Sequence, residues 1–280
     1  MPERFDTLLR LSGFSHGTDV WMGNARELIL SGTASVLETV GCRDDIMLYL
    51  ISKGLDPKMS FKIMEAVRKG KVKKGGFQDG WEDAMHKANV PDWYIESLAK
   101  IGYLFPRAHA VAYVMMAFRI AWFKVYQPLA YYAAYFTIRA EGSFNAPVIL
   151  RGLASMKQEL ARIAALDKPT AVEKGNATVI EVAAEMYLRG LSFLPIDLEK
   201  SDASQFLMVD GKLLPPFNCI PALGDAVAKE IVLARQDHPF TSKEDLKKRG
   251  KVSQSIIDTL DSMGVLKGLP EEEQMSLFAF

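Results

Sequence analysis

Cationic and hydrogen-bonding side chains at helical spacing are the first candidates for chemistry in this chain. Pro106 opens a helix of about 20 residues that is apolar almost all round, and no glycine or second proline interrupts it before Pro128. On a wheel of about 100° per residue, His109, Tyr113, Arg119 and Lys124 share roughly one 140° arc. Such a stripe can hold an anion, for instance a phosphate chain, by charge-assisted hydrogen bonds. The same residues also suit a plain core helix, in which Arg119 and Lys124 snorkel and His109 is hydrogen-bonded internally. In both readings the rest of the helix is expected to be buried in protein, and the two cations argue against a membrane span. Phosphoryl transfer with two metals would need converging carboxylates. The chain has no Asp-x-Asp pair; Asp44 and Asp45, adjacent at a helix start, point about 100° apart and read as capping charges. Neither a Cys/His metal spacing nor a Ser/His/Asp arrangement is present.

The elements that must position these groups read as mainly α. Leu8, Leu9 and Leu11 read as the end of an element begun upstream, followed by a turn at Ser15-His16-Gly17-Thr18-Asp19. Thr18 or Asp19 is the expected N-cap of a helix running to Leu30, a place where an anion could bind or a histidine could simply be exposed. Cys42-Arg43-Asp44-Asp45 opens a short helix to Ile51, and Asp56-Pro57 caps the next. The run Arg68-Lys-Gly-Lys-Val-Lys-Lys-Gly75 is the densest in positive charge, and its glycines predict a loop, either a solvated face or a track for a phosphate backbone. Helices are expected at 129–139, 146–166 and 178–189, with a polar connection between the last two. Asp210-Gly211, between apolar pairs, is the strongest hairpin signal, so a small β element is expected inside a helical protein.

Near the C-terminus, Phe217-Asn-Cys-Ile-Pro-Ala-Leu-Gly224 to Lys229 reads helix, tight turn, helix, as in a helix-hairpin-helix motif that binds a phosphate without reading sequence. Phe240 to Gly264 reads as a paired second unit, with Lys247, Lys248 and Arg249 as its cations. Ordinary helical hairpin packing is the bland alternative. Ala222 stands where such turns usually have glycine; a positive φ there would cost about 1 kcal/mol. After the acidic stretch Pro270-Glu-Glu-Glu273, the residues Gln274-Met275-Ser276-Leu277-Phe278 end the chain on apolar side chains that need a receiving pocket.

Formal net charge is zero, from 34 basic and 34 acidic residues, so any contact with nucleic acid must come from local patches. The two cysteines, Cys42 and Cys219, form no cluster and fit a reduced, cytoplasmic setting. The N-terminus lacks the apolar region of a secretory signal.

Tyr103 to Pro128, with Phe-Pro-Arg-Ala-His-Ala-Val-Ala-Tyr at its head, resembles the fingers segment of bacterial DNA polymerase III alpha subunits, most closely the PolC type. Leu11-Ser-Gly-Phe-Ser-His-Gly-Thr-Asp-Val-Trp21 and the segment from Pro215 onward resemble the same family, and Gln274–Phe278 resembles the peptide by which bacterial polymerases bind the sliding clamp, with Met275 replacing the usual Leu. The resemblance implies the C-terminal part of such a polymerase: fingers over 1–141, a duplex-binding domain with a small β-hairpin and tandem helix-hairpin-helix (about 215–265) over 142–268, and a flexible clamp-binding tail over 269–280. It implies that Ser15, His16, Arg43, Phe105, Arg107, His109 and Tyr113 bind the incoming deoxynucleoside triphosphate and template. Ala222, Gly224, Lys229, Lys247, Lys248 and Arg249 would bind primer–template duplex, and Gln274, Met275, Ser276, Leu277 and Phe278 the clamp. The catalytic aspartates and their Mg²⁺ belong to a palm domain outside this chain, so the chain alone is expected to be inactive. The alternative is a non-catalytic helix-hairpin-helix module tethered to the clamp, in which residues 1–140 would be scaffold.

Overall fold

In a computed structural model, which describes residues 3–140 and 142–272, the chain is mainly α and its two compact units divide between Ile120 and Ala121. The first unit holds α1 (Phe5–His16), α2 (Arg26–Leu30), α3 (Arg43–Ser52), α4 (Pro57–Arg68), α5 (Lys71–Gly75), α6 (Trp81–Lys87), α7 (Asp92–Lys100) and most of α8 (Arg107–Tyr126). Its core is a cluster of aliphatic residues with Tyr94, built from Ile46, Leu50, Ile63, Met85, Leu98, Ile101 and Leu104, all fully buried. Asp56 caps α4 by accepting from the Met59 N–H at 2.8 Å, with Pro57 at the first helical position, as the sequence predicts.

The second unit follows with α9 (Pro128–Arg139), α10 (Ala146–Ile149), α11 (Leu153–Ala164), α12 (Ala171–Leu188), the hairpin β1 (Leu207–Val209) and β2 (Lys212–Leu214), then α13 (Asp225–Asp237), α14 (Lys243–Arg249) and α15 (Gln254–Ser262). The strands pair antiparallel with Leu207 opposite Leu214, and the turn is Asp210-Gly211 with φ of 48° and 73°, both in the left-handed region the sequence signal requires. Phe136, Phe144, Phe193 and Phe206 pack edge to face or tilted at 5.0–6.0 Å around the core of this unit.

Four expectations change. The helix expected over 146–166 is two helices, broken at Gly152, whose φ of +90° no helix accommodates. The basic run is a short helix, α5, bounded by Gly70 and Gly76, and not a loop throughout. No side chain caps the segment after residue 19: Asp19 itself has a φ of +57°, and its carboxylate pairs with Lys73 at 2.7 Å. The largest change concerns α8, expected to be buried. Only Ala110 and Val114 are buried along it; Met116, Phe118, Ile120, Trp122 and Phe123 are all about half exposed. By length and composition alone it could cross a membrane.

Both cysteines are buried thiols, and burial is the main reason that the Cys42 thiol is pushed up to about 12 and that of Cys219 higher still. Iodoacetamide at pH 8 is therefore expected to modify neither in the native protein and both after denaturation; rapid native labelling, followed by intact mass, would contradict this packing.

Candidate nucleotide and DNA interfaces

The first site is assembled at the start of α3 and α8. Asp45 accepts from the Cys42 N–H at 2.7 Å, the Gly41 N–H at 3.0 Å and Arg10 Nη1 at 2.9 Å, while Arg10 also donates to the Thr39 carbonyl. Asp44 accepts from the backbone N–H of Arg107 at 2.9 Å, so two adjacent carboxylates fasten the starts of two different helices. Between them runs the extended segment Gly102–Phe105. Thr18 N–H donates to the Tyr103 carbonyl at 3.0 Å, Gly102 N–H to the Thr18 carbonyl at 3.0 Å, and Arg43 N–H to the Phe105 carbonyl at 3.2 Å. A Cβ on Gly13 would lie 2.3 Å from the Gly41 carbonyl oxygen, so only glycine lets α1 approach the loop before α3 this closely.

These constraints bring Ser15, His16, Phe105, His109 and Tyr113 together, while the Arg43 and Arg107 side chains, at the starts of α3 and α8, turn to Asp44, Glu65 and Asp45. His16, Phe105, His109 and Tyr113 form a continuous ladder of rings, with centroids 5.1, 4.9 and 4.6 Å apart along it. The ladder is open to water at His16, His109 and Tyr113. His16 Nδ1 lies 2.9 Å from the Ser12 carbonyl and 2.8 Å from Ser15 Oγ, and Ser15 Oγ donates to the same carbonyl. The Arg107 side chain is 44% exposed, with Asp45 at 3.9 Å. Arg43 Nε has no hydrogen-bond partner although it is buried, and the nearest carboxylates, Asp44 and Glu65, are 3.7 and 3.9 Å from its guanidinium. Loosely held guanidinium groups can take phosphate oxygens, and a strip of exposed rings can take an aromatic or sugar face.

The arc of four polar residues on α8 divides. His109 and Tyr113 join the site, whereas Lys124 pairs with Glu185 at 2.7 Å and lies 5.2 Å from the Tyr131 ring in the second unit, which is the structural role. Arg10 and Asp45, the anchors of the site, were not singled out for it; nothing in their spacing marks a pair 35 residues apart. Asp44 and Asp45 are both committed to amides and arginines, and among the described residues no three His, Cys, Asp or Glu side chains converge as a metal site. The residues present therefore do not fit a pair of Mg²⁺ ions.

The second site is the hairpin turn between the short helical turn at Phe217–Cys219 and α13. Ala222 has a φ of +67°, so the strain of about 1 kcal/mol expected of a non-glycine residue is present there. The turn borders a cleft of about 640 Å³ also lined by Asn145, Asn176 and Asn218. Lys229, Lys247 and Lys248 are exposed, Lys247 donating to Gln254 Oε1 at 3.0 Å. Arg249 is otherwise engaged: its guanidinium holds Asp245 at 2.9 Å, the His238 carbonyl at 2.9 Å and the Ala234 carbonyl, and lies 4.9 Å from the Phe240 ring. It braces α14 against α13 and is not free for a phosphate backbone. The expected clamp-binding residues Gln274, Met275, Ser276, Leu277 and Phe278 lie outside the described residues.

Two regions match known families: residues 1–89 the finger domain of the bacterial DNA polymerase III alpha subunit, and residues 190–275 a helix-hairpin-helix motif. Across the whole chain, "DNA polymerase III PolC-type" of Pediococcus pentosaceus is 55% identical over 278 residues, 99% of this chain. The proteins of the same name from Thermotoga maritima and Bacillus subtilis are 52% and 51% identical over the same share. Over nearly its whole length the chain matches one segment of PolC-type DNA polymerase III. It spans 19–20% of the length of these relatives. In the PolC-type match, α8 lies between the two regions that the family models cover.

Proposed function

We propose that this chain supplies a PolC-type replicative DNA polymerase with three of its binding functions: incoming nucleotide and template at the fingers, primer–template duplex at the hairpins, and the sliding clamp at the tail. The observation that carries the proposal is the His16–Phe105–His109–Tyr113 ladder, with Arg43 joined to it by its N–H bond to the Phe105 carbonyl and Arg107 in the first turn of the helix that carries His109 and Tyr113. Arg43 and Arg107 offer forked donors to the triphosphate, His109 a further donor, and Tyr113 a ring for the base or sugar. Metal-assisted transfer of the nucleotidyl group belongs to a part of the parent enzyme that this chain does not contain, so no step of it is assigned to these residues. A cytoplasmic location follows from the same reading.

At the hairpins, the backbone N–H groups of Ala222 and Gly224 and the cations Lys229, Lys247 and Lys248 face the phosphates of either strand, giving binding without sequence preference, while the Leu223 N–H closes the turn on the Ile220 carbonyl. Duplex affinity is expected to fall steeply between roughly 50 and 200 mM salt, and replacing the three lysines by Ala to reduce the slope of log affinity against log salt by about 2–3. Fluorescence anisotropy with duplexes of unrelated sequence reads both. A slope unchanged by the triple substitution would remove this face from the DNA. Arg249 is left intact in this test, because its loss would loosen α14 and mimic a binding defect.

A further inference from the structure

The first unit carries a second basic surface that neither the nucleotide site nor the hairpins use. Residues 53–74 contain eight Lys or Arg against two carboxylates, in a chain whose net charge is zero. Of those carboxylates, Asp56 caps α4, and Glu65 is occupied by Arg68 at 2.8 Å and Lys69 at 3.0 Å. Lys73 is held by Asp19. Lys58, Lys62, Lys71 and Lys74 are exposed, with no carboxylate in ion-pair range among the described residues. Lys58 and Lys62 stand one turn apart on α4, a like-charge pair that destabilises a helix unless an anion lies over it.

Within this surface is a groove of about 320 Å³, lined by Phe61, Lys62, Lys69, Lys71, Gln78 and Trp81, with Glu65 beneath its paired cations. Phe61 is 50% exposed, an aromatic ring presented to water and surrounded by lysines, while Trp81 is buried below. We propose that this groove binds single-stranded DNA, one base stacking on Phe61 while Lys62, Lys71 and their neighbours neutralise the backbone on either side. Charge complementarity selects a polyanion. The exposed ring selects one with unstacked bases, since a duplex keeps its base faces covered, and the Gln78 amide can serve any base edge. In a polymerase the unpaired template strand is the single strand at hand, so the site would hold template not yet copied; that assignment of strand rests on the function proposed above, whereas the binding itself does not.

The test is anisotropy of the full chain with a labelled 12-residue oligo-dT, beside a duplex of equal length. Phe61→Ala is expected to weaken single-strand binding about tenfold, and the double substitution Lys62→Ala, Lys71→Ala to lower its salt slope by about 1.4. Both are expected to leave duplex affinity unchanged, and the lysine substitutions at the hairpins to do the reverse, so the two proposals fail separately. All three side chains are on the surface, and thermal melting verifies that the fold is retained. A strand carrying 5-iododeoxyuridine is expected to crosslink, on irradiation, to a peptide containing Phe61. Unchanged affinity in both variants, or crosslinks confined to peptides outside 58–81, would overturn the proposal. So would an effect of the lysines without one of Phe61, or displacement of the strand by polyglutamate at equal charge, which would assign the face to an acidic protein.

Discussion

Replacing Asp45 by Ala is expected to destabilise the first unit by about 3–5 kcal/mol, the usual cost of removing one partner of a buried ion pair. Its side chain is 8% exposed and Arg10 facing it 19%, so the arginine would keep its charge in a place where water cannot solvate it well. The backbone amides of Gly41 and Cys42 would lose their acceptor as well. Asp45→Asn keeps the shape and part of the hydrogen bonding, and is expected to cost less than the alanine change. Urea titration followed by tryptophan emission is suited to this, since Trp21, Trp81 and Trp93 all lie in the first unit. A loss under 1 kcal/mol would mean that Asp45 is not the anchor described. The functional consequence is separate: without this carboxylate the loop leading to Arg43 keeps only the Arg10–Thr39 bond and the Gly13–Gly41 contact to α1, and nucleotide contacts that depend on Arg43 are expected to weaken even where the unit stays folded.

Deleting residues 274–280 is expected to abolish binding to a cognate sliding clamp. Leu277 and Phe278 are each worth about 1.5–3 kcal/mol when fully buried, so together they account for roughly a hundredfold or more in affinity. The deletion begins beyond Pro270 and Glu271, which are joined to the start of α14. Lys243 and Glu244 donate their N–H groups to the carbonyls of Pro270 and Glu271, at 2.9 and 3.1 Å, and Lys243 Nζ pairs with Glu271 at 2.6 Å. The start of α14 therefore keeps its contacts, and duplex binding is expected to be untouched. Changing Leu277 and Phe278 together to Ala tests the same anchors without shortening the chain. Surface plasmon resonance on immobilised clamp decides it; a truncated chain that binds as before would put the clamp contact elsewhere.

Short-range chemistry made much of this fold readable. Asp56-Pro57 and Asp210-Gly211 act through backbone geometry within a few residues, and both do what their types predict. The same kind of signal was overlooked at Thr170-x-x-Glu173, a capping box that starts α12 seven residues before the expected helix, with Glu173 accepting from the Thr170 N–H at 2.8 Å. The proposed site residues can be named from the sequence because the motif that contains them is long, not because their pairing can be inferred: the Phe105 ring meets His16 only through backbone bonds that link residues 18 to 103 and 43 to 105. Arg249 was misread for a related reason. A basic triplet says nothing about which member turns inward, and here the third reaches carbonyls 11 and 15 residues back. For α8, periodicity measured how apolar the helix is but could not say what, if anything, covers it.

That bare helix has a consequence for the chain in the cell. Quality-control machinery does not recognise folds; it recognises apolar side chains in water, and Tyr113, Met116, Phe118, Trp122 and Tyr126 offer it a run of them on a fully formed helix. To a chaperone the finished chain looks unfinished. Expressed by itself it would compete for holdases with nascent proteins, and its lifetime would be set by how soon something else occupies that surface rather than by how well its two cores are packed.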